Sequence, residues 1–209
     1  MSLRIQAFFR SWGVRAAIVA TAFVSLPGPI AQAGVFNIPH FVDPGQFALG
    51  LEPELVLTHG AGIGANIKYT HGLNDLMDIQ GIIGTGSGPR RFRIGGNLSF
   101  DFIPDIEGQP GLGLATQALY VRIPDAGRLE LTGIPYIHKE FPTGDGQGVE
   151  PFFAFPLGFG FSSGSYQGIA QAVVGALFRK SESIQLVTEI GINVNHAESY
   201  LSGGIVFTH

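Results

Sequence analysis

The chain of 209 residues has no cysteine, so neither a disulfide framework nor a thiolate metal site can contribute to its fold. It is also poor in charge. Asp, Glu, Lys and Arg make up 13% of it, about half the share usual in a soluble domain. The balance leans acidic, with 12 Lys and Arg against 16 Asp and Glu. The densest basic stretch is Pro89-Arg90-Arg91-Phe92-Arg93, too little to track a phosphate backbone, which argues against nucleic acid as a partner. Beyond residue 33 there is no run of 18 apolar residues, which excludes a helical membrane span there.

The first 33 residues hold Arg4, Arg10 and Arg15 and no acid, then a mostly apolar run of 11 residues from Ala16 to Leu26, then Pro27-Gly28-Pro29 and Ala31-Gln32-Ala33. A basic start, a short apolar centre and a small-x-small end describe a secretory signal peptide cleaved after Ala33. The run is well short of the roughly 20 residues that a spanning helix requires. Residues 34–209 then form one domain by size, with nine basic residues against sixteen acids.

Apolar residues make up 45% of the chain, and they are spread by alternation. Along Arg91 to Phe102 one parity carries Arg91, Arg93, Gly95, Asn97, Ser99 and Asp101, and the other carries Phe92, Ile94, Gly96, Leu98, Phe100 and Phe102. Strict period two means a strand with different surroundings on its two faces. The same pattern predicts ten strands, at 46–58, 62–71, 76–85, 91–102, 112–123, 128–141, 151–162, 166–179, 184–195 and 199–209. Each is near the roughly 9 to 11 residues that a tilted strand needs to cross hydrocarbon. Parity is least clear in 112–123, where Gln117, Tyr120 and Arg122 do not sort onto one face. Turn residues such as Gly72-Leu73-Asn74-Asp75 and Pro124-Asp125-Ala126-Gly127 separate the strands, and the segment 142–148, PTGDGQG, reads as irregular. Evenly spaced short strands with tight turns and no helix predict an all-β, antiparallel up-and-down barrel, of ten strands or, at fewest, eight.

The polar faces indicate which way the apolar face points. They are largely Gly, Ala, Ser, Asn and Gln with a few charges of both signs, whereas the outside of a soluble protein is rich in Lys and Glu. Such residues pack into a narrow lumen, and the face of Phe153, Phe155, Leu157, Phe159 and Phe161 finds its apolar partner in lipid. An Arg turned to lipid costs about 2 to 4 kcal/mol near the midplane. Arg91, Arg93 and Asp101 are therefore expected inside, able to pair with Glu52, Glu54, Lys68, Asp78, Glu130 and Glu189, since side chains fill a small barrel. Such an acid-rich lining is either the wall of a narrow, cation-favouring pore or a plug of mutually satisfied charges. Three prolines, Pro53, Pro135 and Pro156, fall within predicted strands, where bulges or kinks are expected.

The end of the chain, Ser202-Gly203-Gly204-Ile205-Val206-Phe207-Thr208-His209, resembles the C-terminal targeting strand of bacterial outer-membrane barrels. Ser202, Gly204 and Phe207 occupy its polar, Gly and apolar places, and His209 stands where the terminal aromatic, commonly Phe, belongs. The resemblance implies insertion into the bacterial outer membrane by the barrel-assembly machinery, contact with outer-membrane lipid, and no cofactor. It says nothing of oligomeric state.

Other chemistry is sparse. The six histidines, His40, His59, His71, His138, His196 and His209, show no pair at ligand spacing, so no metal site is expected. His196, Glu198 and Ser199 stand in one short loop, and outer-membrane lipid A deacylases use such a trio on a small barrel. A lipid-modifying enzyme is thus an alternative reading, although a nucleophile needs its base within hydrogen-bond reach and Asn and Ser in a hairpin loop serve the backbone equally well. A soluble periplasmic barrel binding an apolar ligand is another.

Overall fold

The computed structural model describes residues 42–58, 61–87, 91–106, 108–122, 126–144 and 146–209, and the expected signal segment lies outside them. The described residues form strands β1 (Phe47–Val56), β2 (Gly62–Asn74), β3 (Met77–Gly86), β4 (Phe92–Ile103), β5 (Gly111–Arg122), β6 (Gly127–His138), β7 (Phe141–Gly144), β8 (Gln147–Ala154), β9 (Leu157–Ser162), β10 (Ser165–Ser181), β11 (Ile184–Asn195) and β12 (Tyr200–Thr208). All pairings are antiparallel, and β12 pairs with β1 to close the sheet. β8 and β9 are two halves of one stave. β6 and β10 each pair with both halves, so the wall has ten staves in up-and-down order.

Paired residues can be followed once around this wall, from Arg179 through Gln185, Val206, Gly50, Lys68, Ile82, Gly95, Leu119, Glu130 and Gly160 to Gln167. The path returns to β10 twelve residues from its start, and a stagger of that size goes with strands tilted about 40° to the axis. One mouth, called near here, carries Phe47 and His209. The far mouth carries the C-terminal ends of β1, β3, β5, β9 and β11.

Alternation sets the wall. In β1, Phe47, Leu49, Leu51, Pro53 and Leu55 are exposed while Ala48, Gly50, Glu52, Glu54 and Val56 are buried. β3, β4 and β11 repeat the arrangement. Hydrophobic side chains face out and polar ones face in, the reverse of a soluble barrel.

Half of the lumen departs from that rule. Behind β5, β6, β8, β10 and β11 lies an apolar cluster of Ala115, Ile134, Tyr136, Phe152, Ala154, Val173, Leu177 and Val187. The unclear parity of 112–123 has its reason here: both faces of β5 are apolar over much of their length, with Ala115, Leu119 and Val121 inside and Leu114 and Tyr120 outside. Large lumen rings are accommodated by glycine on the next strand. Tyr136 is paired with Gly113, Phe152 with Gly175 and Tyr200 with Gly191, and a Cβ at any of the three glycines would fall on the ring.

Two segments differ from expectation. The segment 142–148, read as irregular, contributes to a hairpin: Phe141 pairs with Val149 and Gly144 with Gln147, and the left-handed Gly146 (φ 72°) turns the chain. Consequently β6 ends at His138 rather than continuing to residue 141. The expected strand 151–162 is interrupted at Phe155-Pro156. Pro135 stands on the neighbouring stave, and Phe155 N donates to Pro135 O at 3.0 Å. The pairing runs in the same register on both sides of this gap, Tyr136 with Ala154 and Gly133 with Leu157. The prolines thin the ladder without adding a bulge.

Candidate functional site: the barrel lumen

The polar half of the lumen is built on β1, β2, β4, β11 and β12, whose inward parity supplies charges of both signs. Glu52 and Lys68 meet at 2.7 Å. Arg93 donates to Glu54 through two nitrogens, at 2.5 and 3.3 Å, and Asn66 Nδ2 adds a third bond to Glu54 at 3.3 Å. Tyr200 donates its hydroxyl to Glu189 Oε1 at 2.7 Å. At the closing seam Ser202 Oγ donates to Pro53 O at 3.1 Å.

A second group sits toward the far mouth. Arg128 and Glu130 approach to 3.3 Å, with the guanidinium lying where a side chain on Gly160 would otherwise be. The loop after β11 turns inward at His196 (φ 46°), leaving Ala197 and Glu198 with 0% exposure. Gln171 Nε2 donates to the Glu198 carbonyl at 2.6 Å. A third group lies toward the near mouth, where His138 bridges two carboxylates, Glu150 at 2.7 Å and Asp101 at 3.0 Å. Beside it Lys139 holds Asp105 and the carbonyls of Ile106 and Gln109, and Arg179 pairs with Glu140 at 2.9 Å.

Of the residues singled out from sequence, Glu52, Glu54, Lys68, Asp78, Arg93, Asp101, Glu130 and Glu189 are buried inside the barrel. They form several separate groups. Arg93 meets Glu54, Asp101 meets His138, and the Val42 amide donates to Asp78 at 3.4 Å. Arg91 is exposed at the far mouth, just before β4 begins; one residue of extra length carries it past the packed interior. Sequence reading left Arg128, His138, Glu150, Gln171 and Glu198 outside the set. Their inward parity was available, but their grouping depends on register between strands.

No family model and no curated relative matches this chain. Among solved structures it is similar to a de novo designed transmembrane β-barrel, with TM-score 0.40 and 13% identity over 81% of this chain and 100% of that one. It is also similar to an outer membrane channel from Pseudomonas putida F1, with TM-score 0.48 and 10% identity over 88% of this chain and 100% of that one.

The lumen holds more acid than base. Among the described residues eight carboxylates are buried (Glu52, Glu54, Asp78, Asp101, Glu130, Glu150, Glu189 and Glu198), against Lys68, Arg93, Arg128 and the imidazole of His138. Among the described residues no group of three or more His, Asp or Glu side chains is arranged to hold a metal ion, and His138 commits both ring nitrogens to carboxylates. Of the loop trio, Ser199 Oγ accepts from the Asn193 amide at 3.1 Å, and Glu198 is packed into the lumen.

The C-terminal residues sit on the closing seam. Gly204 is where β12 approaches the Leu51 carbonyl too closely for a side chain. Phe207 pairs with Leu49 and faces outward. His209 exchanges backbone bonds of 2.8 Å with Phe47 and stacks on its ring, centroids 5.6 Å apart.

Proposed function

We propose that this protein is an integral barrel of the bacterial outer membrane, exported by its first 33 residues. Its lumen is closed to bulk flow by its own side chains, which leaves a structural or limited-permeability role. The membrane placement rests on the outward face, where Leu51, Ile67, Ile83, Leu98, Leu131, Phe159 and Ile190 are all at least 38% exposed, a belt that in water would be an outsized apolar patch. Outward aromatics near the strand ends, among them Phe47, Phe102, Phe92, Tyr120 and Tyr166, suit the two lipid interfaces. Ser202, Gly204, Phe207 and His209 are proposed as the assembly signal.

The closed lumen rests on one observation. Inward charged groups from the near mouth (Asp101, His138, Glu150) to the far mouth (Arg128, Glu130, Glu198) are at most 7% exposed, so no solvent column of bulk width reaches them. A pore would need them wet. Planar-bilayer recording tests this on the purified protein, with heat-modifiable gel migration as the measure of folding. The expected result is a folded, inserted barrel without discrete ionic current steps. Regular steps with cation preference, weakened by neutralising Glu52 or Glu189, would instead make the lumen an ion pore.

A further inference from the structure

Exposed charge is divided between the two mouths. At the near mouth Lys139 and Arg179 are held by Asp105 and Glu140, and the exposed acids Asp43, Asp75 and Glu182 share that end with Lys180. At the far mouth the exposed charges among the described residues are Arg91 and Arg122, and no exposed acid among them stands at that end. Neither guanidinium has an ion pair or a side-chain hydrogen bond among the described residues.

Register brings the two together on the outer wall. Arg122, near the end of β5, is the cross-strand partner of Phe92 on β4 and of Gly127 on β6, and it shares the outward parity of Tyr120. Arg91 immediately precedes Phe92, and its carbonyl accepts from Thr85 Oγ1 at 3.1 Å, which ties the backbone there to β3. One strand spacing and an offset of one residue place the two Cα atoms roughly 6 Å apart, close enough for two arginine side chains to converge on one anion. Like charges on adjoining strands are destabilising, so an anion between them removes a cost as well as adding bonds. The Tyr120 hydroxyl lies where a Cβ on Gly127 would otherwise be, which sets a phenol beside Arg122. Below these polar tips the wall is apolar, with Phe92, Ile94 and Leu129 outward.

We infer that Arg91 and Arg122, with the Tyr120 hydroxyl, bind a phosphate of a phosphorylated glycolipid of the outer leaflet, whose acyl chains lie against the apolar wall of β4 to β6. The inference rests on the outer-membrane reading above and deepens it by naming the lipid that meets this rim. Guanidiniums suit the role because their planar N–H forks match a phosphate. The leaflet follows from the chain's direction. β1 starts and β12 ends at the near mouth, the side from which an exported chain arrives, so the far mouth meets the outer leaflet. A phospholipid of the inner leaflet meets the acid-rich near mouth instead.

Native mass spectrometry of the full purified protein, folded in detergent, tests this with bisphosphorylated lipid A as the probe. The barrel is expected to retain one lipid A, and to hold dephosphorylated lipid A of the same acyl chains, or phosphatidylglycerol, about tenfold more weakly or less. Arg91→Gln and Arg122→Gln are each expected to weaken lipid A binding about tenfold, the loss of one charge-assisted partner. Lys180→Gln, at the other mouth, is expected to change nothing. Arg122→Lys, which keeps the charge but loses the fork, serves if Arg122→Gln fails to show the heat-modifiable folded form, and is expected to bind more weakly than the parent. Equal binding of dephosphorylated lipid A or of phosphatidylglycerol would overturn the assignment, and so would variants that bind like the parent. Protein that folds and inserts into vesicles yet retains no lipid A would overturn the site while leaving the barrel in its membrane. Protein that never inserts would overturn the membrane reading, and the site with it.

Discussion

Arg93 carries the largest side chain among the fully buried residues, and its guanidinium is held by Glu54 through two nitrogens. Such a pair is weak evidence for net stabilisation, because both ions lost their water to form it, but breaking it leaves one charge stranded. Arg93→Met is therefore expected to lower stability by about 3 to 5 kcal/mol, read as a shifted midpoint of urea unfolding in lipid vesicles followed by circular dichroism. The double variant Arg93→Met with Glu54→Leu is expected to recover most of that loss, since replacing both members by apolar residues of similar volume is often neutral. Equal losses in the single and double variants would mean that Glu54 is not held by Arg93. The same logic explains why Glu54 also takes Asn66: a carboxylate has more lone pairs than one guanidinium fills.

At the scale of the strand, the stave made of β8 and β9 is the weak point. Proline has no amide hydrogen, and the ladder beside Phe155-Pro156 lacks donors at Pro156 and, on the adjoining stave, at Pro135. The bonds that remain at the gap, Phe155 N to Pro135 O and Gln171 N to Pro156 O, are both 3.0 Å but are isolated from the regular ladder. Hydrogen exchange followed by mass spectrometry is expected to show faster exchange across residues 153–157 and at Gln171 than in β4 and β5, whose mutual pairing is unbroken from Phe92 to Asp101. Uniform protection around the barrel would show that the prolines leave the wall as firm there as elsewhere. This stretch also marks what a single sequence can disclose. The outward row Phe153, Phe155, Leu157, Phe159 and Phe161 was plain from parity, and so were the two faces of β4. The inner face of this region is Phe152, Ala154 and their partners Val173 and Gly175, so two apolar faces erase the alternation that defines a strand. The β7 hairpin carried a readable cue in Asp145-Gly146, a turn dipeptide, within a stretch otherwise too rich in glycine to show a pattern. The meeting of Asp101 on β4 with His138 on β6 was out of reach altogether, because which residues stand opposite one another follows from turn lengths and bulges, not from the parity of any one strand.

For the whole molecule the deciding quantity is the solvent of the outer wall. If that solvent is hydrocarbon, the cost of a charge on the wall must depend on height: about 2 to 4 kcal/mol for Arg at the midplane and about 0 to 1 kcal/mol near an interface. Leu98 lies outward in the middle of β4, and Ile63 lies outward at the far-mouth end of β2 with 69% exposure. Equilibrium folding into vesicles is expected to penalise Leu98→Arg by the larger amount and Ile63→Arg by the smaller. A barrel whose outer wall faced water would reverse the sense of the test, because an exposed arginine there costs little at any height and relieves an apolar patch. The comparison does not depend on what passes through the lumen. A depth-dependent penalty therefore places the wall in lipid whether the interior proves silent, wet or conducting, and the lumen experiments can then be read as statements about permeation alone.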